Sequence, residues 1–161
     1  MIEGWAAALE ATALATGLRN SVWSYPLVNA AHVLGVALLV GSIVPMDLRL
    51  LGAWRSVPLP PLWRVLTCTS GVGLALAIVF GILLFIARAT EYIASNIFIS
   101  KMVVVGIGAA NALVLGLVPR GYFTEKTPRH GKPPASLRVA AGISLIAWLT
   151  ALILGRLIGY F

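Results

Sequence analysis

Charge is what this sequence has least of. Five acidic and twelve basic residues are spread over 161 positions, so charged side chains make up 11%, against about 25% in a soluble domain. A water-facing surface cannot be assembled from so few. Cysteine is nearly absent as well. Cys68 stands alone, which excludes an internal disulfide and any cysteine-based metal cluster within one chain. There is no phosphate-binding glycine loop, no Ser-His-Asp set and no pair of carboxylates at catalytic spacing, so the chain reads as a non-enzyme. No basic run precedes the first apolar segment. Glu3 and Glu10 stand there instead, and an ordinary signal peptide is not expected.

What is present is apolar. Hydrophobic residues make up 60% and the mean hydropathy is +0.96. Such a chain belongs in lipid, and its length allows four spans of about 20 residues with loops. The excess of basic residues then orients helices and does not point to nucleic acid as a partner.

The first segment, 2–18, holds Glu3 and Glu10 on one helix face and Ile2, Trp5 and Leu9 at i, i+3, i+7. This spacing predicts an amphipathic helix at the membrane interface. Trp23 and Tyr25 mark the headgroup level, and Pro26 suits a helix first turn. Four spans follow, at about 27–45, 65–87, 97–118 and 137–157, and 1–161 is read as one transmembrane domain. Asn29, His32, Gly35, Leu39 and Ser42 share a face of the first span, which must turn inward. Thr69, Gly73, Ala77 and Gly81 on the second span, and Gly108, Ala112 and Gly116 on the third, are spaced for close backbone approach. Ser144, Trp148, Ala151 and Gly155 share a face of the fourth. The prolines at 58, 60 and 61 argue against helix in the loop 46–64. Pro128, Pro133 and Pro134 do the same for the loop 119–136, after which Ser136 is placed to cap a helix.

The expected fold is all-α, an integral membrane four-helix bundle preceded by an interfacial amphipathic helix. Its core would gather Asn29, His32, Gly35, Thr69, Gly73, Asn111, Ser144 and Trp148. The two long loops and their flanks hold eight Lys or Arg, and the opposite side holds Arg19, Arg88, Lys101 and Arg156. The positive-inside rule places both loops in the cytoplasm, with both termini outside.

His32 is the one histidine inside a span. A neutral imidazole can hold an axial position of a b-type haem, or a metal. The second ligand would be Met46, or His32 of a second copy across a twofold axis. Equally, His32 can hydrogen-bond Asn29, Asn111 or Ser144 and join helices. Asp47, Arg49 and Arg55 close the first span. They read as a clamp for a lipid or quinone headgroup, or as an orienting charge cluster. Asp47 and Arg49 are two apart, so they do not share a helix face and should bind different things. Lys101, with Glu91, reads as a snorkelling anchor. Cys68 reads as a small packing residue. His130, with Lys126, Arg129 and Lys132, reads as a topology signal or a site for anionic lipid.

The run W-x-Y-P-x-x-N-x-x-H-x-x-G-x-x-L-L-x-G-S-I-x-x-x-D-L-R-L-L-G, Trp23 to Gly52, resembles a bacterial family of small four-helix membrane proteins known as a domain of unknown function. The resemblance continues in N-x-F-x-x-K-M from Asn96, in Asn111-Ala112, in Ser144 to Trp148 and in Gly155 to Tyr160. It implies the same four-span fold. The family pattern has an acidic residue where this chain has Asn29, and a second histidine shortly after Asn111 that is absent here. If that histidine is a cofactor ligand, half of such a site is missing. A looser similarity to copper-resistance D type and cytochrome-b-like bundles is one of fold. Three functions remain open: an anchor or accessory subunit packed against other membrane subunits or a second copy, a b-haem or quinone electron-transfer protein centred on His32, and a small transporter or proton path through Asn29, His32 and Asn111.

Overall fold

The computed structural model describes residues 2–116 and 133–160. Most of the expected second loop, with Arg120, Lys126, Arg129, His130 and Lys132, lies outside the described residues. Among the described residues all regular structure is helical: α1 Ile2–Glu10, α2 Ala13–Asn20, α3 Ser24–Leu51, α4 Leu59–Ala87, α5 Ala89–Ala94, α6 Asn96–Gly116 and α7 Ala135–Leu157. Four of these are long and apolar enough to cross a membrane. The chain is a multi-pass membrane protein with an all-α, four-helix bundle.

The spanning helices run past the expected limits. Pro45 sits inside α3 and does not end it. The stop is Gly52, at φ 115°, whose N–H bonds back to the carbonyls of Leu48 and Arg49. Glycine takes that left-handed cap without strain. Pro60 and Pro61 fall in the first turn of α4, where no N–H is needed. The loop expected at 46–64 therefore shrinks to 52–58. With 28 residues, α3 is about 42 Å long and exceeds an apolar core of about 30 Å. At the other end, the single helix expected over 2–18 forms as two. Thr12 breaks it, its hydroxyl accepting from the Ala15 N–H to cap α2. Ser136 does not cap α7. It lies inside the helix, which follows Pro134.

Neighbouring helices in space are α4–α3, α3–α7 and α7–α6. The backbones of α4 and α6 stay more than 8 Å apart over their described length. The four spans thus form a curved row, with α3 and α7 in the middle. The tightest contact is between α3 and α4. A Cβ on Gly73 would lie 2.5 Å from the Leu39 backbone nitrogen and 2.8 Å from the Gly35 carbonyl oxygen. One on Gly35 would lie 2.5 Å from the Ala77 nitrogen. The glycines expected to allow close approach do so back to back.

Opposite the loop 52–58, α1, α2 and α5 pack at the bundle end. The break between α4 and α5 at Arg88 exposes a helix end on each side. Arg19 donates to the Ala87 carbonyl at 2.7 Å. The Glu10 carboxylate accepts from the Thr90 N–H at 2.7 Å and its hydroxyl at 2.6 Å. Arg19 also pairs with Glu10 at 3.8 Å. Phe85, Tyr92 and Phe98 stack beside this seam, where burial pushes the Tyr92 phenol up to about 12.

Two outcomes follow from this packing. Gly73→Ala should cost about 1–3 kcal/mol in reversible unfolding from bilayer discs, because neither backbone can yield. Gly71→Ala, with nothing within 4 Å, should stay within about 0.5 kcal/mol of the parent. The second concerns pH. The two Thr90 donors hold the Glu10 carboxyl below its ordinary 4.5. A lowered folded value means stability that is complete above 4.5 and lost as pH falls through the folded value. The protection of the α5 amides against hydrogen exchange, taken relative to an unfolded chain at the same pH, should fall below pH 4.5. In Glu10→Gln that protection should be low already and insensitive to pH over that window.

Candidate functional site

The expected charge clamp at the end of α3 divides in two. Arg49 is 5% exposed. Its Nε donates to the Val57 carbonyl at 3.0 Å and its Nη2 to the Arg55 carbonyl at 3.2 Å. It therefore pins the loop 52–58 and is turned away from lipid headgroups. Arg55 is exposed and donates to the Gly52 carbonyl at 3.2 Å. Asp47 faces the other way, as its spacing from Arg49 requires. It is 2% exposed, a correction to its expected place among the headgroups. Among the described residues the ion pairs are Arg19–Glu10 and Arg88–Glu91, so no cation among them offsets the Asp47 charge.

Asp47 lines a cavity of about 140 Å³. Ser42, Met46 and Asp47 of α3 and Ser144 and Trp148 of α7 form its floor, while Trp63 and Ser70 of α4 and Ala112 of α6 stand on its flanks. Between these two flanking helices no backbone contact closes the row. Beneath the cavity, Met46, Leu50 and Ala141 make a small apolar core, with Leu59, Trp63 and Leu66 packed on it. The Ser144 hydroxyl interacts with the Asp47 carboxyl, and the Ser42 hydroxyl donates to the Leu38 carbonyl at 2.7 Å. Two buried side-chain atoms among the described residues have no hydrogen-bond partner, Asp47 Oδ2 and Trp148 Nε1. Both belong to side chains on this cavity. Trp148 is 4% exposed, and its indole lies over Gly108, where a Cβ would come within 3.1 Å of the ring. The glycine of α6 makes room for the tryptophan of α7.

The residues expected to surround a cofactor at His32 are scattered. His32 is half-buried between α3 and α4, with Nδ1 2.9 Å from the Ala77 carbonyl. A Cβ on Gly81 would lie 3.1 Å from its ring. That bond fixes Nδ1 as the donor and leaves Nε2 with the lone pair, the tautomer a ligand histidine uses. The second ligand does not fit. Met46 lies on the same helix nearly four turns farther on, about 21 Å away at about 1.5 Å per residue. Asn111 donates to the Ala140 carbonyl at 3.0 Å and joins α6 to α7. Asn29, expected in the core, is exposed. These positions do not support a haem held by two ligands of one chain. Among the described residues no three His, Cys, Asp or Glu cluster as for a metal. Lys101 is half-buried, lies against Gly155 and is near enough to His32 for their charges to interact. Cys68 is exposed on α4 and does not serve as core packing.

Sequence reasoning puts Trp148 in the core and Asp47 at the interface, and it does not bring the two together. A signal for their meeting exists. The first and fourth spans run in opposite directions, so late residues of one face early residues of the other. Met46 follows Ser42 by four positions, and Trp148 follows Ser144 by four, so each inward face continues by one turn toward its neighbour. Comparison with family models, with curated proteins and with solved structures finds no match to this chain.

Removing the Arg49 side chain should free the loop that it pins. Two charge-assisted bonds are lost, each worth roughly 1.5–3 kcal/mol. Arg49→Ala in detergent should be cut by trypsin after Arg55 at least fivefold faster than the parent, read as the appearance of the amino-terminal fragment. Equal rates would mean that the loop is held by other contacts.

Proposed function

We propose that this chain is a non-catalytic membrane-embedded binding protein that holds a small lipid-borne molecule in the cavity between Asp47 and Trp148. The observation that carries this reading is that two unsatisfied buried atoms, Asp47 Oδ2 and Trp148 Nε1, belong to side chains that line one cavity. Each costs about 1–3 kcal/mol, more for a charged group, and apolar side chains of similar size would avoid the penalty. A chain serving only as filler between larger subunits has no use for such groups. A site awaiting a ligand does. Two such atoms on side chains of one cavity support a ligand more than two unrelated packing faults.

The membrane-anchor reading keeps one specific support, the unfilled gap between α4 and α6, which another subunit or a second copy could close. It is compatible with binding, since such a subunit would receive what the cavity holds. The basic residues support placement in a bacterial cytoplasmic membrane with the loop 52–58 inside.

The test is to purify the parent, Asp47→Leu and Trp148→Phe in polymer discs that carry native lipid, extract each into organic solvent and compare the extracts by mass spectrometry. The parent should retain a lipid-soluble species that is depleted at least tenfold in both variants. Indistinguishable extracts from variants with the parent's helix content by circular dichroism would overturn the reading.

A further inference from the structure

We infer that the cavity selects a neutral hydroxyl carried on a ring, and that this group enters sideways from the bilayer between α4 and α6. Such selection rests on the reading that the cavity is a binding site, and adds to it the chemistry of the occupant.

The unpaired atoms set the chemistry. The indole Nε1 of Trp148 can only donate, and the Asp47 carboxylate accepts. A bound group must therefore accept from one and donate to the other. An ammonium has no lone pair for the indole. A carboxylate or a phosphate diester has nothing to donate and brings a second negative charge beside Asp47, with no cation among the described residues to offset it. A ketone satisfies Trp148 and leaves Asp47 Oδ2 bare. A hydroxyl both accepts from the indole and donates to the Asp47 carboxylate.

Size and lining set the rest. An apolar cavity of about 150 Å³ holds benzene, so 140 Å³ suits one six-membered ring with its substituent. Trp63 and Trp148 offer aromatic surface to such a ring. The route follows from the row of helices. The floor of the cavity is closed by the packed pair α3 and α7, and the loop side by Leu50 and Leu59 on the buried cluster. Among the described residues the gap between α4 and α6 is left as a way in, and because the two helices that border it are both long and apolar enough to span, it opens sideways along the bilayer. A molecule dissolved in lipid reaches it without crossing water.

The test labels the protein with 5-fluorotryptophan in phosphatidylcholine nanodiscs and follows the fluorine resonance of Trp148, identified by its loss in Trp148→Phe. Three probes are titrated: 4-butylphenol, 4-butyltoluene and butyltrimethylammonium. The expected result is a saturable shift with 4-butylphenol at a concentration at least tenfold lower than with 4-butyltoluene, with that preference abolished in Asp47→Leu. Ala112→Trp, which narrows the gap, should raise the 4-butylphenol concentration needed at least tenfold, whereas Leu113→Trp, on the exposed side of α6, should not. Equal responses to the phenol and the toluene would overturn hydroxyl selection while leaving the cavity a binding site, as would an Asp47-dependent response to the ammonium alone. An unchanged phenol titration in Ala112→Trp would overturn the lateral route. No response to any probe would overturn this inference together with the proposed function.

Discussion

Everything in this bundle hangs from the contact of Gly35 with Gly73. In lipid, apolar side chains gain nothing by leaving one apolar surface for another, so helices are held by close backbone packing and by buried polar bonds. A Cβ added to either glycine would lie only 2.5–2.9 Å from the nearest atoms of the opposing helix, so α3 and α4 leave no room for any side chain at the crossing. That approach brings His32 within 2.9 Å of the Ala77 carbonyl and sets the rotation of α3 about its own axis. Once that rotation is set, Ser42 and Met46 must stay on the inward side, because they lie about two and three turns past Gly35. Asp47, next to Met46, is carried round toward α7. The cavity is thus a consequence of a glycine contact several turns away.

The same constraint explains the opposite end. A backbone break at membrane depth must find its own hydrogen-bond partners. The break at Arg88 finds them in α1 and α2: Arg19 takes a carbonyl that α4 leaves over, and Glu10 takes an N–H that α5 leaves over. The two amino-terminal helices are therefore a cap for the α4–α5 corner. Glu10 and Arg19 are satisfied by each other and by these helix ends.

Much of this is legible in the sequence. Apolar run length marks four spans, and the four-residue spacing of small residues marks the faces that meet, with Gly73 and Ala77 on α4 the clearest case. The i, i+2 relation of Asp47 and Arg49 correctly separates their targets. Where the two point is not legible, because a charge at a helix end has the same local pattern whether the helix stops or continues. Pro45 suggests a stop, and the true stop, Gly52, depends on a left-handed cap that proline spacing does not announce. Asn29 and Asn111 look alike as span amides, yet one is exposed and the other joins α6 to α7. A single sequence carries the periodicity of a face but not the identity of the helix opposite.

The contrast between His32 and Asp47 shows what a polar residue means in such a setting. By residue type, histidine is the stronger candidate for chemistry, and an aspartate near a basic loop is commonplace. Their surroundings reverse that order. The His32 Nδ1–H is taken up by a carbonyl of the neighbouring helix, at a contact made tight by Gly81, so the residue contributes to helix association as it stands. Asp47 has the Ser144 hydroxyl near one side and, among the described residues, no hydrogen-bond partner on Oδ2. The penalty for removing polar groups from water is offset by bonds, and a group left without one marks a place where the fold is incomplete by itself. Trp148 Nε1 is the second such group, on a side chain of the same cavity and of opposite hydrogen-bonding sense. One unpaired donor and one unpaired acceptor, on side chains that line one cavity, are the two groups on which the proposed binding site rests.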